Sequence, residues 1–130
     1  MQKKVIRTEK EEKQIIGNII NIAKINKTNK IVLSGGDPLY GGNLDFTLRI
    51  LKELKKYDIC IYTGCTIEYV KRMQFYGFKY IKCGIYRSDL KQVSEKTDDY
   101  MQLASSNQNF YNDKYEQISE NGRLTWTSII

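Results

Sequence analysis

The chain has 130 residues, 41% of them hydrophobic and 28% charged, the size and balance of one globular domain with a modest core. Its longest apolar runs are broken by Asn21 and Lys24, far short of the ~20 residues of a membrane span, and it has no histidine, which excludes Ser-His-Asp, Cys-His and histidine-zinc chemistry built from this chain alone. The net charge of +6 comes from 21 basic and 15 acidic residues dispersed among one another, which predicts a solvated surface and no nucleic-acid partner.

Met1-Gln2-Lys3-Lys4 leads into charged residues instead of the apolar core of a secretory leader, so a cytoplasmic protein is expected. Thr8-Glu9-Lys10-Glu11 is a capping box, in which the Thr8 hydroxyl accepts from the third helical N–H and Glu11 accepts from the cap's own N–H. Behind it Ile15, Ile16, Ile19, Ile20 and Ala23 recur at helical spacing, and the polar residues 26–30 end the helix. Ile31-Val32-Leu33 then reads as a short buried strand that runs directly into the tight loop Ser34-Gly35-Gly36-Asp37-Pro38.

A second helix is expected over 43–56, with Leu44, Leu48, Leu51 and Leu54 inward and lysines near its C-terminus, where they favour the helix dipole. Asp58-Ile59-Cys60-Ile61-Tyr62 is a second strand ending in Thr63-Gly64-Cys65. A short helix over 66–75 and a third strand, Tyr80-Ile81-Lys82-Cys83-Gly84, follow. Strands alternating with helices imply right-handed βαβ units in a parallel sheet, whose strand C-termini share one edge. That edge is where ligands bind in such sheets, and each strand here reaches it at a glycine. A turn requirement explains each glycine taken singly.

Residues 87–112 are polar and carry no clear pattern. Beyond them, segments 114–118 and 123–129 flank Asn121-Gly122, a type I′ turn signal, and predict a C-terminal β-hairpin. The fold expected is therefore α/β, about three parallel strands with flanking helices plus the hairpin, in one domain over 1–130. The three cysteines, Cys60, Cys65 and Cys83, have no framework spacing and suit a reducing compartment. Cys60 alternates with Ile59 and Ile61 and reads as a buried small hydrophobe. Cys65 and Cys83, at adjacent strand ends, amount to a thiol pair at most.

The run Ile31-Val32-Leu33-Ser34-Gly35-Gly36-Asp37-Pro38-Leu39-Tyr40 resembles the strand and Gly-Gly-Asp-Pro loop of anaerobic ribonucleotide reductase activating proteins, a radical-SAM iron–sulfur family. The resemblance continues in order through Ile61-Tyr62-Thr63-Gly64, through Tyr80-Ile81-Lys82-Cys83-Gly84-Ile85-Tyr86 with Asp89-Leu90, and through Leu103-Ala104-Ser105-Ser106-Asn107-Gln108-Asn109-Phe110-Tyr111. It covers roughly residues 8–112 and implies a partial radical-SAM-type sheet.

It also implies an S-adenosylmethionine-dependent activase that generates a glycyl radical on the large subunit of anaerobic ribonucleotide reductase. By position, Gly35, Gly36 and Asp37 would receive the methionine end of S-adenosylmethionine, and Thr63 and Gly64 would line the same site. Read without the resemblance, Asp37 turns the loop before Pro38. Members of the family hold a 4Fe-4S cluster with Cys-x3-Cys-x2-Cys ahead of the glycine loop, and no such triplet stands in this sequence. The expectation is thus a truncated domain with no catalytic or metal-ligating residue of its own. A separate cluster-binding fragment, or association with further copies, would complete it. The competing expectation is a non-catalytic, degenerate relative that binds or regulates.

Overall fold

The capping box starts the first helix where its spacing predicts. In the computed structural model, which describes residues 7–92 and 100–125, α1 spans Glu9–Ile25. Glu11 N donates to Thr8 Oγ1 at 3.1 Å and Thr8 N donates to Glu11 Oε1 at 3.2 Å, so two otherwise orphaned donors are satisfied reciprocally. Ile16 and Ala23 are buried, and Asn26 closes the helix by donating from its backbone and its side chain to Ile22 O.

The strands β1 (Lys30–Leu33), β2 (Asp58–Tyr62) and β3 (Tyr80–Cys83) pair in parallel, in that order, with Ile31 beside Ile59 and Ile61 beside Ile81. Helices α2 (Leu44–Glu53) and α3 (Ile67–Arg72) make the crossovers. The second helix is shorter than the expected 43–56, and its inward face differs. Phe46, Thr47, Ile50 and Leu51 are buried with Leu54 just beyond, whereas Leu48 is 43% exposed. Leucine spacing alone misjudged that face because Phe46 and Ile50 define it.

Period-two alternation sorts the strand residues between two layers. Ile59, Ile61, Ile81 and Cys83 face the helices and pack with Ile16, Ile50, Leu54 and Val70. Cys60 and Tyr62 face the other way, onto Leu103, Phe110 and Leu124. Cys60 is accordingly half-buried against this smaller cluster instead of being sealed in the main core.

The pattern-poor residues 87–112 supply two strands that the sequence did not reveal. β4 (Tyr100–Gln102) pairs antiparallel with β6 (Arg123–Thr125), and β5 (Asn109–Asn112) adds antiparallel to β3 as the fourth strand of the main sheet. The Asn121-Gly122 turn forms, with φ of +49° and +72° and reciprocal backbone bonds of 2.9 Å between Glu120 and Arg123. A C-terminal antiparallel strand pair is present as expected, but its strands are β4 and β6, not 114–118 and 123–129. Ile118 N donates to Phe110 O and Gln117 bridges Tyr111, so the first segment serves β5, and Arg123–Thr125 turns to β4. Residues 126–129 of the expected strand lie outside the described residues. No helix among the described residues is long and apolar enough to cross a membrane.

Candidate functional site

The C-terminal ends of β1, β2 and β3 open on one edge, and the loop after β1 is shaped by three successive residues of positive φ: Gly35 at +73°, Gly36 at +52° and Asp37 at +38°. Glycine relieves the first two of the Cβ clash that this conformation imposes, and aspartate is among the few other residues that tolerate it. Gly35 and Gly36 are exposed; a Cβ at Gly35 would meet nothing within 4 Å, and one at Gly36 would meet Asn43 Nδ2 at 3.8 Å.

Asp37 turns back toward β2. Its Oδ1 accepts from Thr63 Oγ1 at 2.8 Å and from Leu39 N at 3.1 Å, and its Oδ2 accepts from Gly64 N at 2.9 Å. The structure therefore brings three of the expected site residues, Asp37, Thr63 and Gly64, into one hydrogen-bonded knot joining adjacent strand ends. Thr63 is 4% exposed, and its hydroxyl also accepts from Cys65 N at 3.1 Å, which fixes the start of the second loop. A carboxylate offers about four lone-pair sites. Three are taken within the chain, so Oδ2 keeps one acceptor site.

Asn43 was missed by sequence reasoning, where it marks only the start of a helix. It is the N-cap of α2 but makes no side-chain cap bond; its Nδ2 donates instead to Gly36 O at 2.6 Å and to Asp37 O at 3.3 Å, holding the glycine turn from behind. An asparagine six residues past a Gly-Gly-Asp loop was the available signal. On the far side, Gly64 borders the exposed side chain of Ile85: a Cβ there would come within 3.3 Å of Ile85 Cγ1 and 3.4 Å of Asp37 Oδ2.

The segment 105–108 clamps the exit of β3, which gives Asn107 and Gln108 a positioning role. Asn107 Nδ2 donates to Ile85 O at 2.8 Å, Gln108 Nε2 donates to Gly84 O at 3.2 Å, and Gln108 Oε1 accepts from Ser105 N. Gly84, at φ +114°, passes so close beneath this segment that a Cβ would lie 3.3 Å from Asn107 O.

The three cysteines do not make a cluster site. Cys83 is buried on the helix side of the sheet beside half-buried Cys65, while Cys60 lies on the opposite sheet face. Burial pushes the Cys83 thiol up to about 12, reinforced by the nearby Cys65, Glu68 and Asp37, and burial likewise raises Cys60 to about 12 against the opposing charge of Lys82. Cluster ligation needs thiolates converging from a compact loop, and here the sheet stands between Cys60 and the other two thiols. Among the described residues, no group of three or more His, Cys, Asp or Glu side chains stands ready for a metal ion. The donor set of the described residues therefore does not fit a 4Fe-4S cluster.

A separate cavity of about 350 Å³ lies between the sheet and Phe110, Ile118 and Leu124. It sits at the opposite, N-terminal ends of the strands, where Lys30, Asp58 and Lys79 enter its lining, and it belongs to neither glycine loop.

Comparison with known proteins adds one finding. A family model described as a 4Fe-4S single cluster domain matches residues 2–111, a span that contains every residue of the strand-end knot. No curated protein and no solved structure matches the chain.

Proposed function

The chain belongs to the 4Fe-4S single cluster domain family, and from that premise we propose that it is the S-adenosylmethionine-binding portion of a radical-SAM activase whose cluster ligands come from outside these residues. The observation that carries the proposal is the Asp37–Thr63–Gly64 knot, which holds two exposed glycines at the shared edge of a parallel sheet. A ligand ammonium needs acceptors at short range, and the remaining site on Asp37 Oδ2 together with the glycine-turn carbonyls provides them. Gly64 brings its backbone close to Asp37 Oδ2 and Ile85, where even a Cβ would be crowded.

The four sequence blocks that resemble anaerobic ribonucleotide reductase activating proteins support the finer assignment. In it, the partner is the large subunit of that reductase, and the outcome is a glycyl radical on it. Isothermal calorimetry with S-adenosylhomocysteine tests the ligand: the expected dissociation constant is in the range of ~100 µM or weaker, because few polar contacts offset the cost of immobilising the ligand. Gly64→Val should remove the binding, and because a Cβ there already crowds Ile85 Cγ1 and Asp37 Oδ2, circular dichroism establishes first that the variant is folded. Absence of saturable binding up to millimolar ligand would end the proposal.

One observation favours a second reading, a non-catalytic binding or regulatory protein: Cys60 is separated from Cys65 and Cys83 by the sheet itself. Anaerobic mixing with the reductase and a Cys-x3-Cys-x2-Cys polypeptide discriminates the two. A glycyl-radical signal that depends on this chain supports the activase; its absence, with ligand binding intact, supports the second reading.

A further inference from the structure

Two thiols on the helix side of the sheet take no part in the proposed ligand site. Cys83 ends β3 and is 4% exposed, and half-buried Cys65 packs against the same core cluster from the exit of β2. Gly84 N donates to Cys65 O at 3.1 Å, so the residue after Cys83 is bonded directly to Cys65. The two thiols lie near enough for Cys65 to help push the Cys83 thiol up. A disulfide joins cysteines whose Cα atoms are about 4.4–6.8 Å apart, and hydrogen-bonded neighbours at adjacent strand ends, about 4.8 Å apart, fall within that reach. Cys60 stands on the other face, with the sheet between it and both.

Cys65 is also bonded to the strand-end knot. Its backbone N–H donates to Thr63 Oγ1 at 3.1 Å, and that hydroxyl donates to Asp37 Oδ1 at 2.8 Å. The next residue, Thr66, caps α3 by accepting from Tyr69 N. A covalent bond from Cys65 to Cys83 would therefore close a loop around α3 and tie the exit of β2, with Gly64 in it, to the end of β3.

We infer that Cys65 and Cys83 are a disulfide-forming pair, a redox-responsive tie between the exits of β2 and β3 that does not depend on any ligand at the glycine turn. The oxidant is a low-molecular-weight disulfide of the glutathione disulfide class. Cys65, the more accessible member, gives its proton to water and attacks one oxidant sulfur as the thiolate, forming a mixed disulfide and releasing one glutathione thiolate. Cys83 then loses its proton to solvent and attacks the Cys65 sulfur, and the second glutathione thiolate leaves. The chain gives up two electrons and two protons, and the oxidant becomes two glutathiones.

Loop-closure entropy supplies the control. Closure costs more for longer loops, so an unfolded chain pairs Cys65 with Cys60, its near neighbour in sequence, ahead of distant Cys83. The full chain is incubated with glutathione disulfide, folded by circular dichroism in one sample and unfolded in urea in another. Free thiols are then blocked, and linked peptides are read by mass spectrometry without reduction. The folded chain is expected to give the Cys65–Cys83 link in about tenfold excess over Cys60–Cys65, and the unfolded chain the reverse. Cys60→Ser should keep the link and Cys65→Ser should abolish it. A folded chain that yields chiefly Cys60–Cys65, or stops at the glutathione adduct of Cys65, overturns the inference. The same preference for Cys65–Cys83 in urea also overturns it, because the fold would then not be what makes the pair.

Discussion

Replacing Asp37 by alanine removes three hydrogen bonds in one step, from Thr63 Oγ1, Gly64 N and Leu39 N. Bonds to an ionised acceptor contribute about 1.5–3 kcal/mol each. Asp37 and Gly64 are half-buried, so water re-solvates part of what is lost and the low end applies. Thr63 is fully enclosed and keeps only its bond from Cys65 N. Alanine at a φ of +38° adds about 1 kcal/mol of backbone strain. Three bonds at about 1.5 kcal/mol each, with the strain, predict a loss of about 5–6 kcal/mol for Asp37→Ala. Asp37→Asn keeps the tolerance of positive φ and an acceptor for Thr63 and Leu39, but sets an amide N–H₂ against Gly64 N–H, and should cost about 1–2 kcal/mol. Urea denaturation followed by circular dichroism measures both. An Asp37→Ala protein within 1 kcal/mol of wild type would refute the claim that the knot joins the two strand ends, as would Asn and Ala variants of equal stability.

Gly122→Ala meets both a positive φ and a Cβ position 2.6 Å from Gln92 Nε2 and 2.8 Å from Ser105 O, so a loss of about 2 kcal/mol or more is expected in the same assay; a neutral result would contradict the turn geometry. Ile61→Ala, at a fully enclosed position, should cost about 2–5 kcal/mol. The hydrogen bonds from Thr8 hold the Glu11 carboxyl below its ordinary 4.5, so its contribution is present above that value and lost as the pH falls through the depressed one. Thermal midpoints across that range should therefore drop less steeply in Glu11→Gln. With Cys60 and Cys83 raised from 9.0 to about 12, the thiolate fraction of each at pH 8 falls about a thousandfold, and iodoacetamide should label them correspondingly more slowly than in the urea-unfolded chain. The same shifts withdraw stability as the pH climbs from 9 toward 12.

Local signals carried the helical half of the fold. The Thr8 capping box needs only four adjacent residues, and β2 is framed by its own alternation, so both stand where the pattern places them. Asn121-Gly122 likewise specifies its turn without reference to the rest of the chain. Which strands flank that turn is decided at long range, by Phe110 and Leu124 packing onto the sheet face of Cys60 and Tyr62, and no short window contains that choice. The site shows the same division. The resemblance groups the glycines with Asp37, Thr63 and Gly64, and parallel register lets Asp37 bond Thr63 and Gly64 on the neighbouring strand end. Asn43 was not grouped with them, because it reads as a helix start and only the folded chain brings it to the glycine turn.

Amide mapping with ¹⁵N-labelled protein decides whether the ligand sits on the strand-end edge. On titration with S-adenosylhomocysteine, saturable shifts are expected at Gly35, Gly36 and Gly64. Spectra unchanged at millimolar ligand, or shifts confined to Ile118, Leu124 and the other residues around the cavity at the opposite ends of the strands, would contradict that placement.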